Sequence, residues 1–271
     1  MKIKIQNLFV ILTLLLPLMA RAQFTFTTNG GAITITGYNT NAGLNVVIPA
    51  SINGYPVTSI GTNAFYNLTT ITNVTIPNSV TTIGDEAFVY CGLTSVTIGN
   101  SVTAIGDGAF DRCSGLTSVT IPNSVTTIGF IAFGYCSGLR SATIGKSVTT
   151  IGTYAFYYCS GLPSVTIPNN VTTIGEDAFA WCSGLTSVTI GNSVTTISDD
   201  AFYECSGLHQ AFFQGNAPLV NGRPGSADST VFSGETGTAY YVPGTTGWSA
   251  TFGGWPTAQW YQPQPQILGS G

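Results

Sequence analysis

One string of residues returns along most of this chain at a fixed step. Leu116-Thr-Ser-Val-Thr-Ile-Pro122 leads into Asn-Ser-Val-Thr-Thr-Ile128-Gly, then Ala132-Phe133, then Cys136-Ser-Gly-Leu139. The second Ile of the string falls at 60, 83, 105, 128, 151, 174 and 197, and its Phe at 65, 88, 110, 133, 156, 179 and 202. The step is 23 residues, with one step of 22 where Cys91-Gly-Leu93 lacks the usual Ser. A period of this size means stacked coils, none of which buries its apolar face except against a neighbour.

Each piece of the coil carries its own signal. In Leu-Thr-Ser-Val-Thr-Ile the Val and Ile stand two apart and point inward while Ser and Thr point out, which predicts a strand. A Pro or Gly ends it, and Val-Thr-Thr-Ile, rich in β-branched residues, predicts a second short extended segment. Acidic pairs such as Asp85-Glu86, Glu176-Asp177 and Asp199-Asp200 then precede Ala-Phe. Acids suit the positive end of a helix, and Ala87, Phe88 and Cys91 are spaced to share a face, so a short helix of about two turns is expected in each coil. The expected fold is therefore a β-rich repeat solenoid of the α/β superhelix class, with seven regular coils and two caps. Strands about 4.8 Å apart make the stack roughly 30–35 Å long, and bulkier helices would curve it with the Ser/Thr sheet inside. The residue after the strand alternates, Pro77, Gly99, Pro122, Gly145, Pro168, Gly191, as if coils had been duplicated in pairs.

The ends read differently from the repeats. Lys2 and Lys4, an apolar run from Leu8 to Met19 and the small-x-small site Ala20-Arg21-Ala22 form the pattern of a secretory signal peptide. Cleavage is expected after Ala22, with no membrane insertion of the mature chain and an extracellular or cell-surface location. Residues 23–56 are assigned to an N-terminal cap, 57–215 to the repeats and 216–271 to a C-terminal cap and tail. Ala32-Ile-Thr-Ile-Thr36 alternates as a strand, and Leu44-Asn-Val-Val-Ile-Pro49 imitates the repeat strand. Trp248, Phe252, Trp255 and Trp260 are expected to seal the far end of the core, and the Gln-Pro-rich tail from Gln262 to be extended.

Composition excludes several classes of function. Beyond residue 22 the basic residues are Arg112, Arg140, Lys146 and Arg223, scattered among eleven acids, so no cationic groove for nucleic acid exists. The six cysteines occupy one inward position that holds Leu68 in the first coil; a site that accepts Leu is a packing site, which favours buried free thiols over disulfides. No His or acid shares that column to make a metal centre. His209, the single histidine, has no distinctive Ser beside it in the repeat, and the acids have the bland helix-terminus explanation. Neither a catalytic constellation nor a cofactor is expected.

Two outward stripes remain. Ser95/Thr97 and their equivalents through Ser187/Thr189 form parallel hydroxyl ladders, which suit an ordered surface but equally are what a soluble strand uses. Two residues after each Phe come Tyr90, Arg112, Tyr135, Tyr158 and Trp181. These either pack over one another on the helical face or stand exposed as a row that stacks on sugar rings or anchors a protein.

The unit Leu-x-x-Val-x-Ile-Pro-x-x-Val-x-x-Ile-Gly-x-x-Ala-Phe-x-x-Cys-x-x-Leu resembles the BspA-like class of leucine-rich repeats, over roughly residues 57 to 210. The Tyr-Tyr-Val-Pro-Gly-Thr-Thr-Gly-Trp248 segment is similar to the cap that follows such repeats in secreted bacterial proteins. The resemblance implies a curved right-handed superhelix, surface display or secretion, and binding of proteins or cells, with no catalytic residues to carry over. A non-catalytic scaffold for protein interaction or adhesion is thus expected. The alternatives are a carbohydrate-binding module using the aromatic stripe and a self-associating structural component. The expected partner is an extracellular protein or a glycan.

Overall fold

The computed structural model describes residues 23 to 261; the expected signal peptide and the tail from Gln262 lie outside that range. The repeats form a solenoid of three-sided coils. One side of the coil is the Ser-Val-Thr strand, as at Ser118–Thr120, and successive coils pair in parallel, in register, one repeat apart. The second side is the two-residue strand Thr127–Ile128 and its equivalents, which join a 12-stranded sheet running through the molecule. Eight coils contribute to it, the last through Leu219–Val220.

The third side is not a helix. Between residues 24 and 261 no α-helical segment is found. In each coil a pair of residues four apart is left-handed, as at Ile131 (φ 50°) and Tyr135 (φ 54°). Alternate amides there donate to the next coil: Ile131 to Thr153 O, Phe133 to Ala155 O and Tyr135 to Tyr157 O, at 2.9, 2.8 and 2.7 Å. The amides between close tight turns within the coil, as Gly134 N does to Ile131 O. The reason is spacing. Phe rings of neighbouring coils stack 4.7–5.3 Å apart from Phe65 to Phe202, whereas an α-helix is about 10 Å across. A side as thin as a strand is needed, and turns laddered coil to coil supply it. The acids accordingly cap neighbouring backbone rather than a helix: Asp85 Oδ1 accepts from Asp107 N at 2.9 Å, and Asp107 Oδ1 from Phe130 N at 2.8 Å.

Inside run continuous columns of Ile, Val, Leu, Phe and Cys, nearly all fully buried. All six thiols are free and buried. Tyr38 meets Phe65 at one end of the Phe column, and Trp255 stacks on Phe232 at 4.1 Å at the other. The strands Phe24–Asn29 and Ala32–Tyr38 make an antiparallel hairpin whose second strand pairs with Tyr55–Ile60. Thr238–Tyr241 extends the first-side sheet beyond Gln210–Phe213, and Phe252 is buried while Trp248 packs on the core.

The Pro/Gly alternation has a structural counterpart. A Cβ on Gly145 would collide with the Pro122 carbonyl of the preceding coil, and one on Gly99 with that of Pro77. A Pro coil and the Gly coil after it therefore nest closely, and their first-side strands pair fully: Asn73–Thr75 with Ser95–Thr97, and Ser118–Thr120 with Ser141–Thr143. Between these pairs the ladder weakens. Ser95 and Ser118 alone pair across the first junction, and at the second, between Ser141–Thr143 and Ser164–Ile167, no residues pair.

Candidate functional site

The aromatic stripe lies on the turn side, not on helices. Each of its residues is left-handed, with φ between 54° and 62° for Tyr90, Arg112, Tyr135, Tyr158 and Trp181. The same backbone is kept at Asn67 and Glu204, so the conformation belongs to the coil architecture. Bulky side chains pay for it with about 1–2 kcal/mol each. The reward is direction: with the backbone N–H drawn into the next coil, the side chain is turned outward. Tyr158 N donates to Ala180 O at 2.8 Å, and Trp181 N to Tyr203 O at 2.7 Å.

Tyr90, Tyr158 and Trp181 are exposed, at 43, 42 and 39 %. Tyr135 and Arg112 are half-buried between their neighbours. The guanidinium of Arg112 sits 4.2 Å from the Tyr135 ring centre and 5.2 Å from that of Tyr90, tying three coils together by cation–π attraction. Tyr135 and Tyr158 lie 5.6 Å apart with planes tilted by 30°. Trp181 makes its ring contact onward, with Tyr203 at 5.7 Å. Rings thus both pack on one another and remain accessible.

Arg112 Nε pairs with the carboxylate of the adjacent Asp111 at 3.5 Å. Burial pushes the Asp111 carboxyl up to about 6, against the pull of the Arg112 charge. Its Oδ1 is buried without a hydrogen-bond partner among the described residues.

The patch is wider than one residue per coil. Tyr66 meets Tyr90 edge-on at 6.2 Å, Tyr157 meets Tyr135 at 5.2 Å, and Tyr154 meets both Tyr157 and the exposed Phe130. Tyr66, Tyr157 and Tyr203 directly follow the core Phe. A helical reading turns that position to a different side, and only the turn ladder sets it against a neighbouring coil's row. His209 is exposed on the first side, with Nδ1 3.3 Å from the Thr236 carbonyl. Among the described residues no group of three or more His, Cys, Asp or Glu is arranged to hold a metal, and no helix is long and apolar enough to cross a membrane.

Comparison with known proteins follows the same coils. The BspA type leucine rich repeat region matches in six copies, over residues 38–162 and 149–221. The chain belongs to this family. Among solved structures, a leucine rich repeat protein of T. pallidum is 28% identical, with a TM-score of 0.52 over 71% of this chain and 84% of that one. A leucine rich cell surface protein of Faecalibacterium prausnitzii is also 28% identical, with a TM-score of 0.49 over 71% of this chain and 69% of that one. No curated protein matches the sequence. As a BspA-type repeat protein the chain is a solenoid scaffold, and its coil surfaces are what it has to offer a partner.

Proposed function

We propose that this BspA-type solenoid works outside the cell as a non-catalytic binding scaffold, engaging a protein partner in adhesion through the row Tyr90, Arg112, Tyr135, Tyr158 and Trp181. The observation that carries the reading is the exposure of Tyr90, Tyr158 and Trp181 in one row on a laddered backbone. Tyr, Trp and Arg dominate the energy of protein interfaces because they bury much area with few rotatable bonds. Rings fixed in place before contact lose little entropy on binding. The signal-like segment Lys2 to Ala22 and the scarcity of charge support an extracellular setting.

Carbohydrate recognition by the same row is the second reading. Against it stands Arg112, which covers a face of both Tyr90 and Tyr135, the surface a sugar ring would need. Tyr158 and Trp181 keep it open as an outcome.

The test is binding of the secreted chain to immobilised extracellular-matrix proteins and glycans, beside a Tyr158→Ala/Trp181→Ala variant. Loss of two interface aromatics should weaken protein binding by tenfold or more, about 1.4 kcal/mol at least. Protein binding that survives the variant unchanged would remove the row from the interface. Glycan binding lost in the variant would move the row to the second reading, and self-association alone would favour a structural component.

A further inference from the structure

The first-side sheet has a break with a chemistry of its own. At the residue after each repeat's Leu, the backbone N–H donates to the preceding coil: Thr94 to Thr72 O, Thr117 to Thr94 O, Arg140 to Thr117 O, Thr186 to Pro163 O. Pro163 has no N–H, so the rung to the Arg140 carbonyl is missing. The strands Ser141–Thr143 and Ser164–Ile167 consequently end two separate sheets. A cavity of about 760 Å³ lies over this seam.

The charges around it are one-sided. Of the four basic residues beyond residue 22, Arg140 and Lys146 both line the cavity, and no acid does. Both are exposed, and neither has an ion-pair partner among the described residues. Arg140 reaches over the seam to the Gly161 carbonyl at 3.3 Å, leaving most of its donors free. The main chain of Lys146 is pinned from both sides: its backbone N–H donates to Asn123 Oδ1 and its carbonyl accepts from Asn170 Nδ2, each at 2.8 Å. The rest of the accessible wall combines Ser and Thr hydroxyls and Asn amides with the small apolar surfaces of Ala142 and Pro168, without an aromatic ring.

We propose that this seam is a second binding site, independent of the aromatic row, for an acidic saccharide: a sugar chain bearing carboxylates or sulfates. Two unpaired cations in an otherwise acidic chain select an anion, and Arg forks onto carboxylate or sulfate oxygens. The Asn amides and Ser/Thr hydroxyls match sugar hydroxyls. A peptide strand does not fit between the two edges. Their Cα atoms approach within 8 Å, whereas an inserted strand needs about 9.6 Å, two strand spacings. The apolar side chains at the floor, Ile121 and Ile144, are buried and offer no pocket to a peptide side chain.

The probes are heparin-derived and oligogalacturonate oligosaccharides, with dextran as the neutral control and polyglutamate as the acidic peptide, titrated calorimetrically into the full secreted chain. Binding of either acidic saccharide, weakening with added salt, is expected. Arg140→Ala/Lys146→Ala should lower it at least tenfold with the melting temperature unchanged, since both side chains are exposed. Arg223→Ala and Tyr158→Ala/Trp181→Ala should leave it intact, which separates this site from the aromatic row. Pro163→Thr, which restores the missing donor, should weaken binding by closing the seam. No saccharide binding, binding indifferent to the double variant or to Pro163→Thr, or equal binding of polyglutamate would each overturn the proposal.

Discussion

Every repeat cysteine donates its S–H to the carbonyl of the Phe one coil back, as Cys136 does to Phe110 O and Cys159 to Phe133 O, both at 3.3 Å. Burial holds the thiols high: Cys91 is pushed up to about 12, and Cys113, Cys136, Cys182 and Cys205 well above the ordinary value of 9.0. The unfolded chain therefore releases these protons above pH 9 while the fold retains them. Stability present below pH 9 is lost as pH rises, by up to about 1.4 kcal/mol per pH unit for each thiol. Between pH 9 and 11, Cys136→Ala should flatten the slope of unfolding free energy against pH by up to that amount. An unchanged slope would mean that Cys136 ionises as readily in the fold as out of it. Leu68 at the equivalent site revealed the packing role of these cysteines. Their hydrogen bonds were hidden, because each acceptor lies 25 or 26 residues back. Ile131 makes a second test at this scale. A β-branched residue at φ 50° is strained, and the first coil places Asn63 there. Ile131→Asn should stabilise by up to about 1 kcal/mol in denaturant unfolding; destabilisation would show that side-chain packing outweighs the backbone term.

At the scale of the element, both strands of the coil were legible because alternation and β-branching act locally. The third side was not. Acids ahead of Ala-Phe, and Ala87, Phe88 and Cys91 in helical spacing, satisfy the local rules for a helix. Those rules omit the neighbour one coil away, whose approach to about 5 Å excludes a helix whatever its propensity. The Phe column shows what that approach secures. Phe156 is fully buried between Phe133 and Phe179, at 5.3 and 5.2 Å with planes within 10° of parallel. Phe156→Ala should cost about 3–5 kcal/mol, the usual loss on emptying a packed aromatic site. A loss under about 1 kcal/mol would mean the column collapses to fill the gap and bears little of the stack's stability.

Across the whole molecule the stack is sealed by aromatic side chains at both ends and interrupted along one side at two junctions, after the Gly99 and Gly145 coils. The pairing was visible as the Pro/Gly alternation, but its consequence was not. The seam at Pro163 follows from one missing amide, and a single departure from a repeat looks like noise until its neighbours are placed. The candidate row was legible residue by residue, from a fixed offset after each Phe; its lateral extension through Tyr66, Tyr157 and Tyr203 depended on the turn ladder. That ladder is the central feature, since it makes the third side rigid and fixes the row. It is tested most directly by native-state hydrogen exchange at the amides of Tyr90, Arg112, Tyr135, Tyr158 and Trp181, each of which donates to the next coil at 2.7–3.0 Å. Protection comparable with that of the strand amides of Val119 and Val165 is expected, with exchange limited by unfolding of the coils. Exchange as fast as in an open surface loop would contradict it, and with it a pre-set binding surface.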